Sequence, residues 1–288
     1  KITNLKGVYN DCPNLVNAAC GNGITNLANI YRNYPNLVKA ACGANVVDMS
    51  NAYRNCAKLT TAVSGAKVTN MDNTYADCSS LQKAVVPGAS IRELRNTYRN
   101  CANLTTITNV GANIMDHTYA DCANLINATS PANVIEMIGT YENCPKIQTA
   151  QCGANVVNMY HAYKDCIGLT TANCGHKVTS LKNVYINCPN LVKAACGNSI
   201  TNLTGIYNGL QKLTTAVCGP NVVEFSYAYN DCISLVTPVA PGAKVVNMVG
   251  TYENCVKVNK ATCGANVINM SAAFRNCVNL ESIYIPSS

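Results

Sequence analysis

The chain has no tryptophan, two phenylalanines and three histidines, and only 12% of its residues are charged although 48% are apolar. Each shortage closes off a class of function. No apolar run approaches the roughly 20 residues that a membrane helix needs, so the segment reads as soluble in character. The net charge of +7 contains no block of like charges. That argues against an arm dedicated to nucleic acid and supports at most a mild preference for anionic partners. No Ser/His/Asp set, phosphate loop or HExxH motif can be assembled from the spacings, so no catalytic centre, cofactor or metal is predicted. The sequence opens Lys1-Ile2-Thr3-Asn4 with neither an initiator Met nor an apolar signal core, which places any targeting segment outside it.

What the chain does contain is repetition. Tyr9, Tyr31, Tyr53, Tyr75, Tyr98, Tyr119, Tyr141, Tyr163, Tyr185, Tyr207, Tyr229, Tyr252 and Phe274 recur every 22 residues with slips of one. Three places after most of them stands Cys (Cys12, Cys56, Cys78, Cys101 and onward), and three further on an aliphatic such as Leu15, Leu37, Leu59 or Leu81. The unit reads C-x2-L-x2-A-x-C-G-x2-V-x2-M-x3-Y. Met, Tyr, Cys and Leu at offsets 0, 4, 7 and 10 match one face of a short helical segment, and the following Ala and Cys alternate with polar or small residues as in a short strand. Gly after the strand suits a corner. Asn before the helical segment (Asn26, Asn70, Asn158, Asn202, Asn247, Asn269) is placed to cap backbone N–H groups. The expected fold is therefore an α/β solenoid, a leucine-rich-repeat-like right-handed coil of about thirteen repeats. Stacked repeats share one core, so residues 1–288 read as a single repeat domain, part of a larger chain or assembly.

These columns resemble the BspA-type, or Treponema-type, leucine-rich repeat of bacterial and protist surface proteins. The final repeat carries the resemblance most fully, in Cys277-Val278-Asn279-Leu280-Glu281-Ser282-Ile283-Tyr284-Ile285-Pro286. Val68-Thr69-Asn70-Met71 and Val267-Ile268-Asn269-Met270 are also similar to the repeats of mycoplasma-type surface lipoproteins. The resemblance implies attachment to host surfaces, matrix proteins or other cells without a shared catalytic site. It places the chain at a cell surface, in the extracellular space or on a virion.

The cysteines form two columns, and the second (Cys20, Cys42, Cys152, Cys174, Cys196, Cys218, Cys263) alternates with Ser64, Val86, Asn109, Ser130, Ala240 and Ile285. Such replacements suggest small buried side chains, hence packed thiols. Bridges between neighbouring coils are the alternative, since a strand spacing of about 4.8 Å falls within the usual Cα separation of a disulfide. Zinc fits poorly, because Cys-x7-Cys spans a turn and histidine is scarce. Reduced thiols leave a cytoplasmic setting open. His117 and His161 share a column but lie two repeats apart, too far for joint ligation, and read as solvated helix positions. An Asx column precedes the first Cys (Asp11, Asn33, Asn55, Asp77, Asn100, Asp121, Asn143, Asp165, Asn187, Asp231, Asn254, Asn276). It suits turn backbone better than calcium, whose glycine-rich nonapeptide is missing. The sequons at Asn103, Asn127, Asn202 and Asn269 are by-products of an Asn-rich repeat.

A partner has one natural place to bind. Residues five and seven places after the first Cys point outward from the strand. The first of these columns includes Lys39, Thr61, Lys83, Thr106, Thr149, Thr171, Lys193, Thr215 and Lys260; the second runs Ala19, Ala41, Val63, Val85 and on to Val217, Val239, Thr262 and Tyr284. Neither contains an acid. The preferred function is a non-enzymatic recognition module whose sheet face meets a protein or glycan surface. The alternative is a structural spacer, or a filament or virion subunit that assembles with copies of itself. Slips in the repeat predict loops at Pro87, at Asn109 to Asp116 and at Pro241, and loops on a regular scaffold are favoured sites of specificity.

Overall fold

A computed structural model describes residues 2–108 and 111–286, and the repeats wind into a parallel β-solenoid of about twelve turns. Asn109 of the second cysteine column and of the predicted loop lies outside the described residues, as does Val110. The chain divides into two compact units, Lys1–Lys146 and Ile147–Ser288. The first contains β1 (Asn17–Ala19), β2 (Lys39–Ala41), β3 (Thr61–Val63) and β4 (Ala128–Thr129), of which β1, β2 and β3 pair in parallel. The second contains β5 (Thr149–Gln151), β6 (Thr171–Asn173), β7 (Lys193–Ala195), β8 (Thr215–Val217), β9 (Lys260–Thr262) and β10 (Ser282–Tyr284). There β5 through β8 run parallel in register, and β9 pairs with β10.

The short helical segment expected in each repeat is absent: no helix occurs among the described residues. The positions two before and two after the aromatic both lie in the left-handed region, as with Asn51 (φ 53°) and Asn55 (φ 60°) around Tyr53. Asn, Asp and Gly tolerate that conformation best, and a left-handed residue at every fourth position prevents an i to i−4 ladder from starting. Successive turns form instead. Ala52 N–H donates to Met49 O at 2.9 Å, Cys56 N–H to Tyr53 O at 3.2 Å and Leu59 N–H to Cys56 O at 2.9 Å. The intervening N–H groups point along the stack: those of Met49, Asn51, Tyr53 and Asn55 reach the carbonyls of Asn70, Asp72, Thr74 and Ala76 in the next coil. The 0, 4, 7, 10 spacing therefore marks the inward corners of turns, and Met49, Tyr53, Cys56 and Leu59 are all buried. His117 (φ 48°) and His161 (φ 58°) occupy left-handed turn positions rather than helical ones.

The asparagines predicted to cap do cap, but they cap turns. Asn26 Oδ1 accepts Ala28 N–H at 2.7 Å, Asn70 accepts Asp72 N–H at 3.0 Å and Asn202 accepts Thr204 N–H at 2.8 Å. The glycines after the strands have a different reason from a special φ. A Cβ on Gly43, Gly197 or Gly219 would run into the carbonyl oxygen of Gly21, Gly175 or Gly197 in the preceding coil. Backbone meets backbone at this corner, and only a residue without a side chain fits.

Inside, the aromatic column becomes a ladder of stacked rings. Within the first unit Tyr31, Tyr53, Tyr75, Tyr98, Tyr119 and Tyr141 follow one another at centroid distances of 5.4 to 5.8 Å; Tyr185, Tyr207, Tyr229, Tyr252 and Phe274 follow at 5.4 to 6.0 Å in the second. Each ring removes about 150–250 Å² from water, so this column dominates the burial in every coil. Two polar columns lie beside it. Buried Thr74, Thr97, Thr118, Thr140 and Thr251 each donate Oγ1 to a carbonyl of the preceding coil at 2.7 to 3.0 Å. Among the first cysteines, Cys78 donates Sγ to Tyr53 O, Cys144 to Tyr119 O and Cys255 to Tyr229 O, all at 3.1 Å.

All eighteen cysteines carry thiols in the structure. Burial pushes the thiol of Cys56 up to about 11 and those of Cys122, Cys188 and Cys232 up to about 12, from an ordinary 9.0. The native state holds protons that the unfolded chain releases. Thiol burial therefore contributes its full stability below pH 9.0 and loses it as pH rises toward about 12. The midpoint of urea unfolding is expected to fall steadily above about pH 9, and the buried first-column thiols from Cys56 to Cys277 to resist iodoacetamide until the chain unfolds, unlike exposed Cys12. A midpoint unchanged across that range, or rapid labelling of those buried thiols in the folded protein, would contradict their burial.

Candidate functional site

Alternation along each strand presents the site. The middle residue packs inward, as with Ala18, Ala40, Ala150, Ala172 and Ala194, and its neighbours face out. Of the nine residues singled out from sequence, Lys39, Thr61, Lys83, Thr106, Thr149, Lys193, Thr215 and Lys260 are exposed and Thr171 is half-buried. Register brings them together in groups. Lys39 lies opposite Thr61, and Lys83 opposite Thr106. The longest row is Thr149, Thr171, Lys193 and Thr215 across β5 to β8. Lys260 stands beside Ser282.

Two residues of the second outward column turn the other way. Val85 and Val239 are buried, because the extra residues ahead of Pro87 and Pro241 shift the register. Their carbonyls accept the hydroxyls of Tyr98 (2.7 Å) and Tyr252 (2.6 Å) inside the coil. Apolar neighbours complete the face. Val63 and Val217 are 56% and 58% exposed, and Val16 and Val236 are 47% and 49% exposed. The last two lie outside the columns chosen from sequence, although an apolar residue where other repeats carry Gln or Thr was a legible signal.

Charge divides the surface further. Asp77 pairs with Arg54 (3.5 Å), Asp121 with Arg99 (3.3 Å) and Glu253 with Arg275, all on the turn side of the coil. Several lysines away from the sheet face are also held. Lys58, Lys67, Lys177, Lys212 and Lys244 each donate Nζ to an Asn Oδ1 of the preceding coil at 2.6 to 2.8 Å. The ammonium groups of Lys39, Lys83, Lys193 and Lys260 have no hydrogen-bond or ion-pair partner among the described residues.

The Asx column forms a ladder of its own. Asn100 donates to Asp77 at 3.1 Å, Asn143 to Asp121 at 3.1 Å, Asn187 to Asp165 at 2.9 Å and Asn254 to Asp231 at 2.7 Å. This accounts for the Asp/Asn alternation, since a carboxylate only accepts and the next coil must supply an amide donor. A turn-side groove of about 430 Å³ beside Lys182, Asn183, Ile186 and Asn208 gathers amides and aliphatic groups without an acid–base pair. Among the described residues no helix is long and apolar enough to cross a membrane.

The sequence model of the BspA type leucine rich repeat region matches in six copies over residues 5–126, 95–214 and 204–288. The chain belongs to the BspA-type leucine-rich repeat family. A solved leucine-rich repeat protein of Bacteroides ovatus is 12% identical, with a TM-score of 0.55 over 93% of this chain and 86% of that one. A leucine rich cell surface protein of Faecalibacterium prausnitzii is 16% identical (TM-score 0.43, 96% of this chain and 89% of that one). The pneumococcal vaccine antigen PcpA is 11% identical (TM-score 0.45, 94% and 79%). At such identities the likeness to the Bacteroides protein shows the fold alone. No curated protein matches the sequence. Leucine-rich repeat solenoids are in general binding scaffolds with extended surfaces, and in this BspA-type chain nothing shows catalysis.

Proposed function

We propose that this BspA-type solenoid is a recognition module of a cell surface or the extracellular space, which binds a protein or glycan partner through its Lys/Thr sheet face. One observation carries the reading. The ammonium groups of the four sheet-face lysines are unheld among the described residues, whereas six elsewhere (Lys58, Lys67, Lys146, Lys177, Lys212 and Lys244) are tied to asparagine carbonyls. An ammonium that the fold does not use is available to a partner, and the surrounding Thr and Val side chains supply hydrogen bonding and apolar contact. The absence of carboxylates from the face favours an anionic or neutral partner. Residues 1–288 act in this proposal as one repeat domain of a larger chain or assembly.

The test is binding to a panel of immobilised matrix proteins and an array of sulfated and sialylated glycans. Lys39→Glu with Lys83→Glu, or Lys193→Glu with Lys260→Glu, is expected to weaken binding at least about tenfold, which corresponds to about 1.4 kcal/mol. Lys58→Glu with Lys177→Glu changes charge equally at lysines outside the sheet-face columns that asparagines already hold, and is expected to leave binding intact. Equal losses from both kinds of variant would reduce the effect to net charge and defeat the proposal.

A further inference from the structure

The two cysteine columns face opposite hydrogen-bonding environments. First-column sulfurs donate to carbonyl oxygens, as Cys188 does to Tyr163 O at 3.1 Å, and a thiolate there would face a lone pair. In the second column Cys152, Cys174 and Cys196 accept, while Cys218 at the end of the row points its thiol at Ala240 O, 3.9 Å away. Gly175 N–H donates to Cys152 Sγ at 2.6 Å, Gly197 N–H to Cys174 Sγ at 2.7 Å and Gly219 N–H to Cys196 Sγ at 3.0 Å. Each glycine directly follows the cysteine of the next coil, so every sulfur is held against the next cysteine of the row. Cys152, Cys174, Cys196 and Cys218 follow the ends of β5, β6, β7 and β8, whose registers match residue for residue. Ser130 and Ala240 stand at the equivalent places on either side in sequence.

Consecutive sulfurs thus repeat at the coil spacing of about 4.8 Å. Two metal–thiolate bonds of about 2.3 Å laid end to end span about 4.6 Å. No group of three or more His, Cys, Asp or Glu converges among the described residues, so four-coordinate zinc is not served. We propose that Cys152, Cys174, Cys196 and Cys218 form a row of two-coordinate sites for a soft monovalent d10 cation, Cu(I), held between sulfurs of successive coils. Thiolates select such ions by softness.

Entry of one ion between two thiols breaks two S–H bonds, forms two S–Cu bonds and sends two protons to the buffer. Copper stays Cu(I), and the resulting single negative charge is met by the glycine N–H groups that already point at Cys152, Cys174 and Cys196. Burial raises the thiol of Cys152 to about 11 and those of Cys174 and Cys218 to about 12, so the metal must displace these protons, as thiolate sites generally require. Cys174 and Cys218 are half-buried and give the ion access.

The experiment is an anaerobic titration of the whole chain with Cu(I), supplied as its acetonitrile complex, in competition with bicinchoninate. X-ray absorption at the copper edge then reports the ligands. The expected result is tight uptake with a first shell of two sulfurs, lost in Cys174→Ser/Cys196→Ser, which interrupts every interval of the row. The column already accepts serine at Ser64, and circular dichroism checks the fold. Cys166→Ser/Cys188→Ser in the first column is expected to retain the uptake. The proposal is overturned by no uptake in competition, by equal uptake in the second-column variant, by a three- or four-ligand shell, or by disulfides across the row in the mass of the freshly isolated protein.

Discussion

Gly197→Ala is expected to lower the stability of the solenoid by about 3 kcal/mol, the upper end of the cost of overpacking a well-filled site. The added methyl would overlap the carbonyl oxygen of Gly175 and lie 2.9 Å from its carbonyl carbon and 3.2 Å from Cα of His176. These are backbone atoms and cannot rotate aside. Nor can the coils simply separate, because Cys174 N–H is bonded to Ala195 O at 3.1 Å and Val192 N–H to Thr170 O at 2.8 Å. Gly21→Ala is the matched control, since a Cβ at Gly21 meets nothing within 4 Å. It should be neutral, or stabilising by up to about 1 kcal/mol through the unfolded chain. Urea unfolding followed by circular dichroism measures both, and similar midpoints for the two variants would refute the close approach.

The aromatic ladder gives the second large effect. Tyr53 is fully buried and stacks on Tyr31 at 5.5 Å and Tyr75 at 5.7 Å, so Tyr53→Ala should cost about 3–5 kcal/mol. Tyr53→Phe should do the opposite. Its hydroxyl is buried without a hydrogen-bond partner, and its removal relieves a desolvation cost of about 1–3 kcal/mol. Tyr98→Phe keeps the same ring but breaks the 2.7 Å bond to Val85 O, at a cost of about 1 kcal/mol. The two conservative variants therefore move the unfolding midpoint in opposite directions. If both lower it equally, the two hydroxyls do not differ as described.

Much of this architecture was legible in the chain. Tyr, Cys and Leu at fixed spacing announced buried columns, and period-two alternation at Lys39-Ala40-Ala41 or Thr171-Ala172-Asn173 announced a strand with its outward residues. The helix was misread for a definite reason. Spacings of 4, 3 and 3 suit a helical face, but they equally suit successive turns, and the deciding information lay in Asn51 and Asn55 rather than in the apolar residues. Asx two after nearly every aromatic, with Asn, Gly or His two before most of them, is a left-handed signature, and it outranks apolar periodicity here because one left-handed residue per turn is incompatible with a helix. Val85 and Val239 were misplaced because a one-residue slip reverses which face a strand residue occupies.

Sequence alone determined the repeat, its family, the inward columns and the composition of the outward sheet face, because each of these is a property of one coil read 22 residues at a time. Tertiary structure decided what happens between coils. It set which lysines are held by a neighbouring asparagine, why Asp alternates with Asn, and why the first cysteine column donates while Cys152, Cys174 and Cys196 accept. Such contacts join residues 21 to 26 positions apart, and their direction depends on the register and backbone conformation of the stacked coils, which no single repeat encodes.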